Sequence, residues 1–500
     1  MLKATKPIFA LLLATVMMCG CSQESDEPAV SAGTQAINDA EATVVFRLAP
    51  NVSTITRSAE DSYNYVQGTA DEYAVNQARI YLFDSPTKLF AKSFLLTKLT
   101  RNGTDANGNI IYEAEHVGVT PGTYDIFVTA NSSRQIQAQT EEEFLADIDD
   151  QTYVRGLITD ISGGVLMSNR ASDNTGIVIE KKADKSDNVV SITLERTLAR
   201  LDIAKGSDHF ALTDEASRQY ATVTLDGYHI VNLAKRCYTF RHTAVLTAMD
   251  EPQWSLNDNF GNVNDVNGYV VDPYFFSKKI DAAQFSNADK YYENYYGDIS
   301  NPAAITWTAF SSSASTPQYK TAYCLENCML MPAQKNGYST GVVFRAKLEP
   351  YNNVYRLAAD NTTLELVADA KQYPEVLYYY DYKFYTSPAA LAVAVGTPSV
   401  SVDNLDIYQA RKYEKTDDGY RCYYNYWIRH QDNLNPATMG VMEFGVVRNN
   451  LYRMLITNVS DLGSPLPDVN PNTPDEGETH LKIVLNVKPW IVRDLTNIVL

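Results

Sequence analysis

The sequence predicts an all-β protein with few short helices. Its 500 residues include 34 tyrosines, and they occur with many valines and threonines, the residue types that favour strands with one buried and one solvated face. Short segments alternate apolar and polar residues, as at Val44, Phe46 and Leu48, and this alternation has the period of a β-strand. The length is sufficient for two domains.

The first half contains predicted strands separated by turn residues. They cover residues 43–48, 78–83, 90–99, 109–113, 123–128, 189–194 and 198–203. A tight turn at Asn107 and Gly108 predicts a hairpin between the third and fourth of these strands. One helix is predicted after Thr140, because Glu143 follows three residues later as in a capping box. A polar stretch near residue 207 marks the predicted domain boundary.

The second half has longer loops between its predicted strands, which cover residues 222–233, 341–348, 440–447 and 452–459. Residues 461–480 hold four prolines and several acidic side chains, a composition that predicts an extended, solvated linker. A strong strand signal follows the linker. Its alternating apolar residues are Leu481, Ile483, Leu485 and Val487. Pro489 and Trp490 interrupt the pattern, and a second apolar strip runs to Leu500.

The N-terminal segment predicts export as a lipoprotein. Two lysines precede an apolar run at residues 8–18, which is shorter than the roughly 20 residues that span a bilayer and is typical of a signal peptide. Cys21 directly follows a glycine, at the position where lipoprotein processing attaches lipid, whereas Cys19 follows two methionines and fits less well. Residues 1–20 are therefore the predicted signal peptide. The alternative is an ordinary secreted protein in which this cysteine is incidental.

Composition and motifs exclude several classes of function. A formal net charge of −18 at pH 7 opposes binding to nucleic acid, because phosphate backbones repel it. The chain has no GxSxG, P-loop or GxGxxG motif, and its six histidines form no metal-binding pair. We therefore expect a non-enzymatic protein with no cofactor and no metal.

Cysteines and tyrosines each leave two interpretations open. Four cysteines follow the predicted lipidation site, and the sequence does not determine their pairing: Cys237, Cys324, Cys328 and Cys422. The spacing of Cys324 and Cys328 allows either a local disulfide or two free buried thiols. The tyrosine-rich runs at 291–296 and 378–382 could stack on sugars, but alternating tyrosines in strands more often pack on one face.

The two ends of the chain carry strand-like segments set apart from the body. The first contains Val44, Phe46 and Leu48 and precedes a turn-rich, exposed stretch that includes Arg57. A sandwich whose first strand is cut away presents an open groove with unpaired backbone groups, which is a template for a strand from another chain. The segment at 481–500 is a natural donor. Such a contact is head-to-tail and builds a filament.

Several stretches together resemble fimbrillins of the Bacteroidales. They are residues 75–84, 194–203, 323–327 with 340–346, 447–452 with 462–465, and 487–490. They occur in family order and cover both halves and both ends of the chain. The family members that they resemble most are the structural subunits of the short, minor fimbriae. Cys328 departs from the family pattern.

The resemblance implies two transthyretin-like Greek-key β-sandwich domains and assembly as a type V pilus. On this basis Cys21 would carry the lipid (palmitate), and an arginine-specific protease would cut between Arg57 and Ser58, with Arg47 as the rival site. Cleavage would remove the strand of Val44, Phe46 and Leu48. The donor residues implied by the resemblance are Leu481, Ile483, Leu485, Val487, Trp490, Ile498 and Leu500.

The expected organisation is therefore a signal peptide, a propeptide, two domains and a donor strand. Their bounds are 1–20, 21–57, 58–207, 208–480 and 481–500. We expect an outer-membrane lipoprotein precursor that becomes a subunit of a cell-surface fimbrium and supports adhesion and biofilm formation. Its partners would be other copies of itself, minor fimbrial subunits and the protease. Two alternatives are a fimbrial tip or anchor subunit and a surface glycan-binding lipoprotein.

Overall fold

The structure is a computed structural model, and it describes most of the chain after residue 40. The described residues are 41–50, 68–104, 110–150, 158, 160–184, 186–246, 254–256, 268–274, 295–296, 305–311, 317–329, 333–430, 435, 439–440, 443–467, 470–476 and 480–489. No helix in this part of the chain is long and apolar enough to cross a membrane.

Strands dominate the described residues. In chain order they are β1 Ala42–Pro50, β2 Ala78–Asp84, β3 Phe90–Leu96, β4 Leu99–Thr104, β5 Ile110–Ala114, β6 Val117–Val119, β7 Gly122–Ala130, β8 Ile148–Asp149, β9 Met167–Ser168, β10 Ile177–Ile179, β11 Asn188–Arg196, β12 Leu198–Lys205, β13 Phe210–Thr213, β14 Gln219–Val231, β15 Leu233–Ala234, β16 Cys237–Tyr238, β17 His242–Leu246, β18 Trp254–Leu256, β19 Gly268–Val271, β20 Tyr295–Tyr296, β21 Thr308–Ala309, β22 Lys320–Leu325, β23 Gly341–Pro350, β24 Val354–Leu357, β25 Leu364–Leu366, β26 Val376–Tyr380, β27 Lys383–Tyr385, β28 Arg411–Thr416, β29 Gly419–Trp427, β30 Asn450–Val459 and β31 Leu481–Pro489.

The helices in this part of the chain are short. They are α1 Ala70–Tyr73, α2 Glu141–Leu145 and α3 Pro388–Val395, with 3-10 turns at Ala370–Gln372 and Asp406–Tyr408. The predicted cap of α2 is confirmed, because the Thr140 hydroxyl accepts a hydrogen bond from the Glu143 amide. α3 begins after the N-cap Ser387 and ends at Gly396, whose φ of 79° is the left-handed conformation that glycine tolerates best.

The first domain is built from one curled sheet whose strands run in the order β3-β2-β7-β9-β11-β1-β5-β4. Strand β10 joins at β7, and β6 joins at β1. The two halves of this sheet enclose a core that includes Ile80, Ile126 and Ile192, all nearly or fully buried. The alternation of apolar residues in the sequence therefore places one face of each strand in the interior.

The second domain contains two sheets, of four and ten strands, around a second core. One has the order β22-β12-β30-β31, and the other runs β13-β14-β23-β29-β28-β26-β27-β24-β25 with β21 on β14. Their inner faces meet at residues such as Leu201, Phe344 and Met454. The predicted all-β class, with two sandwich domains and few short helices, is confirmed.

The chain passes from the first sheet to the second at Thr197, between β11 and β12. This point lies about ten residues before the boundary predicted at 207. The first core also takes side chains from the second half of the chain: Ala234, Cys237, Tyr323, Leu325, Met329, Ala333 and Tyr338. Side chains from both halves of the chain therefore build the first core.

Three sequence-based predictions about elements are wrong. The predicted hairpin between residues 90–99 and 109–113 is not formed. Strand β3 pairs with β2, and the partner of β5 is β4, because a hairpin joins the segments directly beside its turn. The strand predicted at residues 440–447 is not formed by the described residues of that segment. They make only isolated β-bridges, one to Arg429 and one to Asn327. The segment 461–480 is not an extended, solvated linker in its described part, since Leu462 and Asp475 are buried.

The four cysteines in the part of the chain that the structure describes are buried and form no disulfide with one another: Cys237, Cys324, Cys328 and Cys422. The possible disulfide between Cys324 and Cys328 is therefore not formed in this structure. Cys324 lies on β22 and points into the second core, whereas Cys328 lies beyond the strand end, with its amide bonded to Asp272. Burial raises the pKa of the Cys324 thiol to about 12, which keeps it protonated and unreactive at neutral pH.

Candidate functional site

Strand β1 lies inside the first sheet, with a partner on each side. It runs parallel to β11 in a register that joins Val44 to Asn188 and Pro50 to Leu194. On its other side it runs antiparallel to β6 and β5. β1 is thus a central strand, although the chain reaches it before any other described element.

The predicted removable strand contributes its apolar face to the first core. Val44, Phe46 and Leu48 are fully buried there, as the alternation in the sequence predicts. Burying side chains of this size stabilises a fold by roughly 1.5–3 kcal/mol each. Without β1, the sheet has a groove between β11 and β5 that is lined by apolar side chains and edge backbone groups. We call this space the β1 groove.

Arg47 occupies the solvated face of the same strand. Its guanidinium donates a hydrogen bond of 2.8 Å from Nε to the Glu113 carboxylate, which also accepts one from Asn102. The bond from Arg47 lowers the pKa of Glu113. The backbone of Arg47 is registered against Ser191 on one side and Glu113 on the other. This arginine is therefore held within a paired strand.

The described residues on the two sides of the stretch 51–67 both lie beside the C-terminal end of β11. Pro50, the last residue of β1, is registered with Leu194. Arg196, two residues further along β11, donates a 2.7 Å hydrogen bond from Nε to the backbone carbonyl of Glu72 in α1. Two residues of a strand span about 7 Å. Pro50 and Glu72, which precede and follow that stretch, therefore lie beside the same end of one strand.

Glu72 is the centre of a buried polar cluster that sequence reasoning missed. Its carboxylate accepts hydrogen bonds from Arg200 at 2.9 Å and from the Tyr323 hydroxyl at 2.7 Å. Together with Arg196 these residues form the Glu72 cluster (Glu72, Arg196, Arg200 and Tyr323). The one local signal is the Thr69-x-x-Glu72 pattern of a capping box, and the Thr69 amide does donate to the Glu72 carboxylate at 2.6 Å.

Burial sets the charge states in the Glu72 cluster. It lowers the pKa of Arg196 to about 10, so this guanidinium is still charged at neutral pH. Burial, followed by the hydrogen bond to Glu72, raises the pKa of Tyr323. The phenol therefore stays neutral and remains a hydrogen-bond donor. A buried carboxylate with charged and neutral donors around it is stable only while these partners remain in place.

The predicted donor segment is divided at Pro489. Residues 481–489 form β31, which pairs antiparallel with β30 at the edge of its sheet. Leu481 belongs to the second core, and Ile483 packs against it. Leu485 and Val487 are registered with Met454 and Tyr452. The remaining predicted site residues lie outside the described residues: Cys21, Arg57, Ser58, Trp490, Ile498 and Leu500.

Tyrosines of the 378–382 run pack inside the protein. Tyr378 and Tyr379 are both 7% exposed and face two different apolar clusters. Tyr220 lies 5.2 Å from Tyr382, measured between ring centroids. These rings fill cores and contact each other, so they do not form an exposed aromatic platform for sugars.

Two family models match the chain at its two ends. The model for the major fimbrial subunit protein (FimA) matches residues 42–198, and the model for the C-terminal part of fimbrillin, the major fimbrial subunit protein type IV, matches residues 415–496. The chain belongs to the fimbrillin family. The resemblance read from the sequence is thereby confirmed. This fimbrillin is a fimbrial subunit, a pilin, and its place is a fimbrium at the cell surface.

The solved structures to which this fimbrillin is similar have low sequence identity to it. A fimbrilin from Porphyromonas gingivalis is 13% identical, with 91% of this chain and 99% of that chain covered and a TM-score of 0.45. A candidate cell adhesion protein from Parabacteroides distasonis is 15% identical, with 91% and 98% covered and a TM-score of 0.45. The tip fimbrial protein Mfa3 from P. gingivalis is 11% identical, with 90% and 100% covered and a TM-score of 0.35. No curated protein sequence matches the chain.

Proposed function

We propose that this fimbrillin is a structural subunit exported as a lipoprotein precursor and polymerised by protease-triggered donor-strand exchange. Fimbrial subunits polymerise with themselves and with minor or tip subunits. The observation that carries the proposal is the central position of β1. This strand fills the first core, yet one connection, 51–68, is all that joins its C-terminal end to the rest of the chain. Adhesion and biofilm formation would be the result of the assembled filament.

Lipid on Cys21 would deliver the precursor to the outer membrane and hold it there until cleavage. The support for this step is the sequence pattern of the first 21 residues, with a short apolar run directly before a cysteine. While β1 fills the groove, the precursor cannot accept a strand from another subunit. Cleavage then frees the subunit from its anchor and allows β1, which is no longer covalently joined, to leave the β1 groove.

Arg57 is the better cleavage site of the two arginines. Proteases bind an extended, unpaired stretch of substrate. Arg47 is paired on both sides within β1 and is tied to Glu113, so cutting there requires the strand to leave the sheet first. Arg57 follows the strand, in the connection that starts at Pro50 and finishes at Glu72. A cut after it falls seven residues beyond Pro50, the last residue of β1, so β1 leaves as a whole strand.

The donor would be the part of the C-terminal segment beyond β31. Strand β31 is registered with β30 from Leu481 to Pro489 and completes the second core, so its departure would cost core contacts. Residues 490–500 follow directly and include Trp490, Ile498 and Leu500. This stretch has eleven residues, two more than the nine of β1, and it is therefore long enough to fill the β1 groove of a second subunit.

The decisive experiment compares two conservative variants of the precursor. Arg57→Lys removes the site for an arginine-specific protease but keeps the charge, and Arg47→Lys is its matched control. After protease treatment we expect the native and Arg47→Lys proteins to begin at Ser58 and to form ladders on a gel. Arg57→Lys should stay monomeric and keep β1. Ladders from Arg57→Lys, or an uncut monomer from the native protein, would refute the proposal.

A further inference from the structure

We infer that Glu72 is a positioning residue for strand exchange. It would hold the retained end of the cut chain, and the end of β11, against the second domain while the β1 groove is empty. This inference rests on the proposed function, since it concerns the interval between loss of β1 and arrival of a donor strand.

Glu72 lies in the first described segment on the retained side of the proposed cut. Cleavage after Arg57 leaves residues 58–67 ahead of this segment. The Glu72 side chain is fully buried, although α1 is a single helical turn of four residues. A helix this short has little stability of its own. Its position therefore depends on tertiary contacts, which include the hydrogen bonds that Glu72 makes.

Those hydrogen bonds join the two domains. The backbone carbonyl of Glu72 accepts from Arg196, the last residue of β11 in the first sheet. Its carboxylate accepts from Arg200 on β12 and from Tyr323 on β22, both strands of the second domain. Glu72 thus links the C-terminal end of β11, which lines the β1 groove, to strands β12 and β22 of the second domain.

The second domain reinforces these contacts with further charged groups. Arg200 also pairs with Asp202 at 2.9 Å, and Asp202 in turn binds Arg453 on β30 at 2.9 Å. The second guanidinium in the cluster, that of Arg196, donates to the Asn449 side-chain oxygen at 3.0 Å. Asn449 directly precedes β30. The Glu72 cluster is therefore fixed to three of the four strands of that sheet.

Strand β11 depends more on the Glu72 cluster once β1 has gone. In the precursor, β1 is registered with β11 from Asn188 to Leu194. On the other side, β9 pairs only with Glu195 and Arg196. After cleavage, residues 188–194 form an exposed edge that must stay extended to act as a template. The cluster anchors this edge at its C-terminal end, so its loss should affect the cut form more than the precursor.

The test compares Glu72→Gln with the native protein before and after cleavage and removal of residues 21–57. The Gln variant keeps the shape of the side chain and removes the charge that Arg200 and Tyr323 bind. We expect it to lower the Tm of the cut form by roughly 5 °C more than that of the precursor. We also expect uptake of a synthetic peptide of residues 490–500 to slow by about tenfold. Glu365→Gln, in the exposed pair with Arg356, is the matched control and should change neither quantity.

Each outcome decides one of the two proposals. An equal loss of Tm in both forms, together with unchanged peptide uptake, would show that Glu72 has only a general structural role. Failure of the native cut form to take up the peptide would count against strand exchange, and the difference in Tm would still test the anchoring role. If Glu72→Gln does not fold, Tyr323→Phe removes one donor and leaves the Arg200 pair. Tyr323→Phe should also lower the Tm of the cut form more than that of the precursor, by a smaller difference. An equal loss of Tm in the two forms would overturn the inference.

Discussion

Phe46 is the largest apolar side chain that β1 contributes to the first core, and it is fully buried. Truncating a buried phenylalanine costs about 3–5 kcal/mol because it removes apolar contact and leaves a cavity. We therefore expect Phe46→Ala to lower the free energy of unfolding of the precursor by that amount. After cleavage and removal of residues 21–57 the variant should match the native protein, because the altered residue is gone. Denaturant titration of both forms measures this difference.

Phe127→Ala is the control for this prediction. Phe127 on β7 is also fully buried, but it is retained after the cut. Its truncation should lower the stability of the precursor and of the cut form alike. A cut Phe46→Ala protein that remains less stable than the native cut form would show that β1 stays bound after cleavage.

His242 gives the fold a predictable sensitivity to acid. The imidazole is buried, stacks on Tyr238 and makes a 2.8 Å contact from Nε2 to the Leu145 carbonyl oxygen. Burial lowers its pKa from 6.5 to about 4. The unfolded chain therefore binds this proton first as the pH falls. The stabilising contribution is complete above pH 6.5 and is lost between pH 6.5 and 4, by up to about 3 kcal/mol.

Substitution of His242 by Gln should flatten the decline in stability over that pH range. The measurement is denaturant unfolding at several pH values between 4 and 7. His209→Gln is the control, because His209 lies on the surface and its substitution should leave the slope unchanged. If the stability of His242→Gln falls with pH as steeply as that of the native protein, groups other than His242 cause the sensitivity to acid.

Single residues differ in how far sequence alone predicts their role. Val44, Phe46 and Leu48 could be assigned to a buried strand face because alternation is a local signal. The role of Glu72 could not be predicted, since its hydrogen-bond partners are 124, 128 and 251 residues away in the chain. No local pattern shows that an acidic residue after a turn-rich stretch is buried between two domains.

At the scale of elements, β31 and the residues beyond it should have separable roles. Deleting residues 490–500 removes the proposed donor but leaves the pairing of β31 with β30 and the packing of Leu481. We expect a cut subunit with this deletion to keep its Tm and to fail to extend filaments. Deleting 481–500 also removes β31 and uncovers one side of β30, so we expect a Tm lower by several degrees. Thermal unfolding and sizing of the assembled products measure both effects.

Two results would contradict this division of roles. Filaments of normal length from the 490–500 deletion would exclude the extreme C-terminal segment as the donor. Equal Tm values for the two deletions would show that β31 does not stabilise the second domain. The 490–500 deletion serves as the control for the longer one, since both lack the same last residues.

Elements were predicted well where neighbouring residues in the sequence determine the structure, and poorly where residues far away in the chain determine it. The capping box of α2 depends on Thr140 and Glu143 alone, and it is confirmed. The segment 461–480 has the composition of a linker, but Asp475 binds Ser339 in a buried site. Its packing depends on side chains more than a hundred residues away, which composition does not reveal.

At the scale of the whole molecule, the first domain should not fold alone. Its core includes Ala234, Tyr323 and Leu325, which lie beyond the predicted domain boundary at 207. Strand β16 also pairs with β8 across the two halves. We expect a fragment of residues 41–207 to lack a cooperative thermal transition by circular dichroism. The control is residues 41–500, which contain both halves, and cooperative unfolding of the fragment would refute the prediction.

The two edges that flank β1 run in opposite directions, since β1 is parallel to β11 and antiparallel to β5 and β6. A strand that enters the groove in either orientation finds one parallel and one antiparallel neighbour. Backbone hydrogen bonding alone therefore gives little preference for one orientation. The preference must come from the unequal cavities vacated by Val44, Phe46 and Leu48. The shapes of these three cavities would then set the direction in which each donor strand lies in its groove, and with it the orientation of successive subunits along the fibre.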